Sequence, residues 1–363
     1  MKRSEPNRIL FCGYAPVHYV CFRPLYERLA ALPGMEVYFS GGLRGRQNNG
    51  ELVYDPGPMY RSFNIPGSRI LTTAEMQRRD FDMVFCSFVS GVFPRKDRAR
   101  VHLFHGISFR NMAVRRDILI YDYLLNVGPY QMKVFEDEQL LRKGDPRMVP
   151  IGFPKTDPLV DGSLDRGRLL RRAGFSGRRP VVLYAPTGQK DNSLELMGPE
   201  VVKRLRATGR YDLLIKLHDH PRNKDIDWGV RLRPYLDAHT KIVKDYDIIP
   251  QLYLADLLLT DASSASSEYM LLDRPLVFID VPQMLGFLKQ KGLALDADRG
   301  REGGVTVRWP DEVVASVAWC LKNPRHGSAA RKKLAAELFF NPGRATDKAE
   351  EWVLRWLNEH PRP

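Results

Sequence analysis

Residues Leu257–Ile279 read LLLTDASSASSEYMLLDRPLVFI. An apolar run closes at Thr260-Asp261, small residues follow at Ala262, Ser263 and Ser264, and a helical pattern leads to a second apolar run at Leu276–Ile279. The stretch reads as strand, loop, helix, strand. The helix opens on small hydroxyl residues, so its first backbone N–H groups are unobstructed and suit a phosphate or pyrophosphate. The same serines would equally serve as ordinary helix caps.

Working outward, strand-like and helix-like runs alternate along the whole chain, which predicts an α/β protein with largely parallel sheets. In the first half, strands are expected near Ile9–Cys12, Val37–Ser40, Met83–Cys86, Val101–Phe104, Leu124–Val127 and Val149–Ile151, with helices at Phe22–Ala31 and Pro129–Lys143. The segment Gly41–Gly67, rich in Gly, Asn and Pro, reads as a long mobile loop carrying Arg44, Arg46 and Arg61. After a Pro/Gly-rich break at Gly152–Ser163 the pattern restarts. It runs through helix Leu164–Ala173, strand Val181–Ala185, helix Pro199–Thr208, strands Leu213–Leu217 and Lys241–Val243, and helix Ile249–Ala255. Further helices are expected at Pro310–Leu321, Ala329–Phe339 and Thr346–Glu359. The domain reading is 1–151, a linker at 152–163, 164–342, and a C-terminal helix at 343–363 that could pack back on the first domain. Two such halves suggest a cleft enzyme with ligands at the carboxyl ends of its strands.

Composition agrees with this frame. At 363 residues the chain exceeds one compact core and fits two domains. Apolar runs fall short of the ~20 residues that span a bilayer. The opening MKRSEPNRILFCG lacks the apolar core of a signal peptide. Cys12, Cys21, Cys86 and Cys320 sit at no metal or redox spacing and read as reduced thiols of a cytoplasmic protein. The net charge of +13 calls for a partner class. No nucleic-acid-binding signature or aromatic-interleaved basic segment accompanies it. A nucleotide donor, a polyanionic substrate or an anionic membrane surface would each reward such a field. Arg95–Arg100 with Phe93, and the Arg44/Arg46 loop, are the candidate regions for peripheral docking on the inner face of the plasma membrane.

Short motifs follow the expected strands in order: Phe104-His105-Gly106, Gly152-Phe153-Pro154-Lys155-Thr156-Asp157, Tyr184-Ala185-Pro186-Thr187, Lys216-Leu217-His218, and Thr260-Asp261-Ala262-Ser263-Ser264, closed by Asp273-Arg274-Pro275-Leu276. Their order and spacing over Val101–Ile279 resemble the CDP-glycerol glycerophosphotransferase family, which builds teichoic-acid and related glycerol-phosphate polymers. Four places depart from that pattern. Lys155 replaces an arginine, Ala262 an aromatic residue, and Gly188-Gln189 an aromatic–basic pair, while the His-Pro is displaced to His220-Pro221.

The resemblance implies a GT-B fold of two Rossmann-like domains facing a cleft, and transfer of glycerol phosphate from CDP-glycerol to a hydroxyl of a lipid-linked or polymeric acceptor. It implies no cofactor and no bound metal. His105 is then the candidate base, with His18, expected on the Gly13–Tyr19 loop, as its rival. His218 would touch a phosphate oxygen, with Lys216 or Arg222 adding charge. Gly106, Lys155, Pro186, Thr187, Asp261, Ser263 and Ser264 would line the donor, and Glu268, one turn beyond Ser264, would read its ribose. Plain structural readings stand beside each role: a carbonyl-bonded histidine, a sheet-edge residue, a solvated helix glutamate. Asp-x-Asp recurs at Asp80, Asp225, Asp245 and Asp296 and carries no weight, and His218-x-His220 lacks a third ligand. Two alternatives remain open. One is a UDP-dependent sugar transferase or UDP-N-acetylglucosamine 2-epimerase, against which Ser263-Ser264 replaces the Gly-Gly of the epimerase turn. The other is a non-catalytic nucleotide-binding protein on the same scaffold.

Overall fold

The alternating pattern folds into two separate parallel sheets. The computed structural model describes residues 5–46, 52–88, 93–109, 111, 113–219, 223–290, 296 and 299–362. One unit comprises Met1–His105, Ala113–Asp157 and Phe339–Pro363; the other comprises Gly106–Met112 and Pro158–Leu338.

In the first unit the strands are β1 (Asn7–Gly13), β2 (Met35–Gly41), β3 (Leu43–Arg46), β4 (Leu52–Asp55), β5 (Asp80–Cys86), β6 (Lys96–Leu103), β7 (Tyr123–Asn126) and β8 (Met148–Pro150). Six of them form a parallel sheet in the order β2-β1-β5-β6-β7-β8. The chain steps from β1 out to β2 and returns on the far side of β1. The carboxyl ends of β1 and β5 therefore flank a topological switch point, the place where open α/β sheets hold ligands.

The second unit contains β9 (Val181–Tyr184), β10 (Asp212–Lys216), β11 (Thr240–Val243), β12 (Leu257–Thr260), β13 (Leu276–Ile279) and β14 (Val305–Val307). Their order is β11-β10-β9-β12-β13-β14, all parallel, and the switch point lies between β9 and β12. Every residue of β9, β10, β12 and β13 is buried. Layers on both faces of a parallel sheet require such unbroken apolar runs.

Several local expectations are corrected. Gly41–Gly67 is not one loop: β3 and β4 pair antiparallel, and the helix Pro56–Arg61 follows, its start capped by Asp55 accepting from Gly57 N at 3.0 Å. Elements of four to six residues separated by Gly and Pro give no readable period. His18 lies on the helix Pro16–Ala30 rather than on a loop, because Pro16 starts the helix and Pro24 is accommodated within it. The helix Pro129–Asp137 ends earlier than the apolar pattern suggested, and Gln139 beyond it takes φ +55°. Pro199 lies inside the helix Ser193–Ala207, whose true start is capped by Asn192 bonding Leu194 N and Glu195 N.

The basic run Arg95–Arg100 is largely paired. Arg98 bonds the buried Asp82 at 3.1 Å, and Arg100 bonds Asp97 at 2.7 Å while stacking on Phe93. Among the described residues, no helix is long and apolar enough to cross a membrane.

The Gly-x-Pro-x-x-Asp segment has a structural task in the first unit. Gly152 adopts φ +106°, and a Cβ there would meet Phe340 O at 2.2 Å. Asp157, buried, accepts from Ala345 N at 3.0 Å and from Thr346 N and Oγ1 at 2.7 Å each. It thereby caps the helix Ala345–Glu359, whose own flanking residue Arg344 supplies no side-chain cap. That helix lies beside Pro16–Ala30 through the pair Arg28–Asp347, and Trp356 Nε1 donates to Tyr123 at 3.1 Å. Asp157→Ala strands three donors, two of them backbone, and is expected to lower unfolding free energy by about 2 kcal/mol in a urea titration, whereas Asp157→Asn recovers part of it.

Candidate active site

At the first unit's switch point, two histidines face each other with ring centroids 5.0 Å apart. His105 follows β6. Its Nδ1 lies 2.7 Å from Ser87 O, just past the end of β5. A carbonyl can only accept, so Nδ1 carries the proton and Nε2 carries a lone pair. His18 has the opposite tautomer. Its Nδ1 accepts from Tyr14 N at 3.0 Å, which puts any proton of the neutral ring on Nε2. His105 is thus arranged as a proton acceptor and His18 as a donor. Phe88 stacks on His18 with ring centroids 5.9 Å apart, and Tyr14 packs against Phe88 at 4.0 Å and Tyr54 at 4.7 Å.

Desolvation holds the His105 pKa below the ordinary histidine value; the Ser87 carbonyl opposes the shift and the Lys155 charge adds to it. Lys155 is buried in this unit, its Nζ 5.5 Å from the Phe153 ring centre.

The second unit brings three separate motifs together at its switch point. Asp261, buried after β12, accepts from Thr187 N at 2.9 Å and from Ser193 N and Oγ at 3.0 and 2.8 Å. The loop after β9 is thereby tied to the loop after β12. Thr260 Oγ1 adds a bond to Ala185 O at 2.6 Å. His218, exposed after β10, lies against Gly188: a Cβ on that glycine would fall 2.5 Å from His218 Nδ1. Lys216 is buried and donates to Leu217 O and to Asp219 at 2.6 Å, so its charge is met within its own loop. His220, Pro221 and Arg222 lie outside the described residues.

Ser263 and Ser264 are partly exposed at the start of the helix Ser264–Tyr269. Ser263 Oγ accepts from Ala265 N at 3.3 Å and its carbonyl accepts from Ser266 Oγ at 2.8 Å. Gly106 belongs to this unit, and a Cβ on it would sit 3.5 Å from Ser264 Oγ. Glu268 is 1% exposed, which removes the solvated-helix reading. Pro186 and Thr187 are buried. Sequence reasoning gave no role to Ser193 or Asp219 and met Asp157 and Gly188 only as motif positions, because the task of each appears only with its tertiary partner.

Two parallel α/β sheets of this kind define a GT-B fold. A wall teichoic acid polymerase, TagF, superposes with a TM-score of 0.69 at 16% identity over 99% of this chain and 91% of its own. A UDP-N-acetylglucosamine 2-epimerase shares the fold at TM-score 0.57 and 12% identity, over 99% and 98% of the two chains. The chain belongs to the CDP-glycerol:poly(glycerophosphate) glycerophosphotransferase family, whose model matches residues 76–353. A teichoic acid glycerol-phosphate primase of Bacillus subtilis (strain 168) is 30% identical over 161 residues, 44% of this chain and 39% of that relative. The matched region is thus well under half of the relative's length.

Behind His105, His102 is buried and packs against Phe104 and Tyr121. Its Nδ1 has no hydrogen-bond partner. Burial, with the neighbouring His105, lowers its pKa from 6.5 to about 3. The unfolded chain takes up this proton near pH 6.5 and the folded chain only near pH 3, so stability is whole above the upper value and is lost as pH falls through that window. The loss from His102 is ~1.4 kcal/mol per pH unit. Unfolding free energies measured from pH 7 to pH 4 should show this slope, and His102→Phe should remove one proton's share of it.

Proposed function

We propose that this chain transfers glycerol phosphate, or a related polyol phosphate, from a CDP-linked donor to a hydroxyl of a cell-envelope or capsular polymer. The observation that carries the reading is the opposed tautomers of His105 and His18 in a chain of this family. One imidazole offers a lone pair and its neighbour offers a proton, at the strand ends where ligands bind.

In the proposed reaction the acceptor hydroxyl attacks the β-phosphorus of the donor. An O–P bond forms, the bond from that phosphorus to the bridging oxygen breaks, and CMP leaves with the electron pair. The hydroxyl proton passes to His105 Nε2, while Nδ1–H stays on Ser87 O and keeps the ring oriented. The depressed pKa keeps His105 unprotonated at neutral pH and ready to accept. The second unit would hold the donor: Ser263 and Ser264 with its diphosphate, His218 with a phosphate oxygen, Glu268 with ribose hydroxyls. A lipid-linked acceptor would bring the enzyme to an anionic membrane surface, where exposed cations such as Arg95 and Lys96 would act.

A donor panel decides the substrate class. CDP-glycerol, other CDP-polyols and UDP-sugars are offered with acceptor, and the released nucleotide is identified by mass spectrometry. CMP from CDP-glycerol supports the reading; UDP or UDP-N-acetylmannosamine moves the chain to the sugar-transfer or epimerase alternative.

His105→Ala should lower turnover ~100-fold or more while donor affinity is kept. The wild-type rate should fall in acid, through the lowered pKa of His105, and that limb should vanish in the variant. Near-normal turnover would take the base role from His105. Ser263→Ala with Ser264→Ala should weaken donor binding by ~1.5–3 kcal/mol per lost charged hydrogen bond, read by calorimetric titration. Unchanged affinity would remove the diphosphate from this loop.

A further inference from the structure

Arg301 lies in the short turn Arg299–Gly303 that leads into β14. Its Nη1 donates to Asp280 Oδ1 at 2.7 Å, just past the end of β13. Its Nη2 is buried and has no hydrogen-bond partner. A charged N–H withdrawn from water without an acceptor is costly, and such a group in a folded protein calls for an explanation.

The surroundings supply one. Arg301 lines a cavity of about 30 Å³ together with Ser263, Ser266, Ser267, Ala262 and Phe109. The space is that of a single water or one phosphate oxygen, not of a whole phosphate group. Asp280 does not cancel the local charge, because Arg308 approaches its other oxygen at 3.4 Å and two guanidiniums share one carboxylate. Asp261 also borders the cavity, but its oxygens are engaged by Thr187 and Ser193. What remains is a buried guanidinium N–H without an acceptor, on a residue that lines one cavity with Ser263 and Ser267, a setting that an anionic oxygen completes better than a neutral one.

We propose that Arg301 receives a phosphate oxygen of the donor's diphosphate, its Nη2 donating to an oxygen that enters the cavity beside Ser263, Ser266 and Ser267. The assignment rests on the nucleoside-diphosphate reading above and adds a residue to it from a segment outside all the family motifs.

The test is titration of the full chain with CDP-glycerol, CDP, cytidine and inorganic pyrophosphate, comparing wild type with Arg301→Gln, Arg301→Lys and Asp280→Asn. Arg301→Gln should weaken CDP-glycerol and CDP by at least about tenfold, leave cytidine unchanged, and be partly rescued in Arg301→Lys. If Arg301 merely braces its turn, Arg301→Gln and Asp280→Asn will lower the melting temperature alike and shift all ligands together, which overturns the proposal. If wild type binds CDP-glycerol and Arg301→Gln binds it equally well, the assignment of Arg301 fails and the donor reading stands. If wild type binds pyrophosphate in an Arg301-dependent way but not CDP-glycerol, the anion receptor stands and the donor reading fails.

Discussion

One buried carboxylate organises the second unit's strand ends. Asp261 takes a backbone N–H from Thr187 and both donors of Ser193, and so binds the crossover after β9 to the crossover after β12. These two strands are neighbours in space but 74 residues apart along the chain at the Thr187–Asp261 bond. Thr260 Oγ1 to Ala185 O is a second tie between the same two strand ends. The ion is tolerated because its oxygens are met by N–H and O–H donors rather than left in an apolar interior. Tyr184 OH closes the network by donating to Ser193 Oγ at 3.0 Å. The serine turn is therefore held from beneath, and Ser263 and Ser264 stay partly exposed.

The first unit solves a different problem, that of setting protons. Two nearby imidazoles would be ambiguous if both rings could turn and exchange tautomers. Each is fixed by one backbone group of opposite polarity, Ser87 C=O for His105 and Tyr14 N–H for His18. The backbone groups sit where β5 and β1 end, so the placement of these strand ends sets the tautomer of each neutral ring. The charge of Lys155 adds to this, since a nearby cation disfavours the imidazolium of His105.

Most strands were legible as apolar runs bounded by turn residues, and the switch-point loops as motifs directly after those runs. Their tertiary uses were not. Asp261 reads as a donor ligand until Ser193 is placed beside it, and Asp157 reads as part of a linker until the helix Ala345–Glu359 arrives 188 residues later. Glu268 carries the same letter whether solvated or buried, and only packing shows it to be buried. The β3–β4 hairpin escaped notice because pairing over four residues leaves no period to detect. Periodicity reports which face is apolar; it is silent on which polar group meets which partner across a sheet.

The departures from the family pattern follow a common logic. Gly188 stands where an aromatic–basic pair is usual, and the His218 ring lies against it in space that any side chain would claim. Ala262 stands where an aromatic is usual, and it lines the cavity that Arg301 borders; a bulky group directed into about 30 Å³ would close that cavity. At both positions the small residue leaves room for a group from a distant segment. Lys155 keeps the positive charge of the arginine it replaces. A point charge suffices to act on His105 through space, whereas the bidentate fork of arginine would matter only for a planar partner.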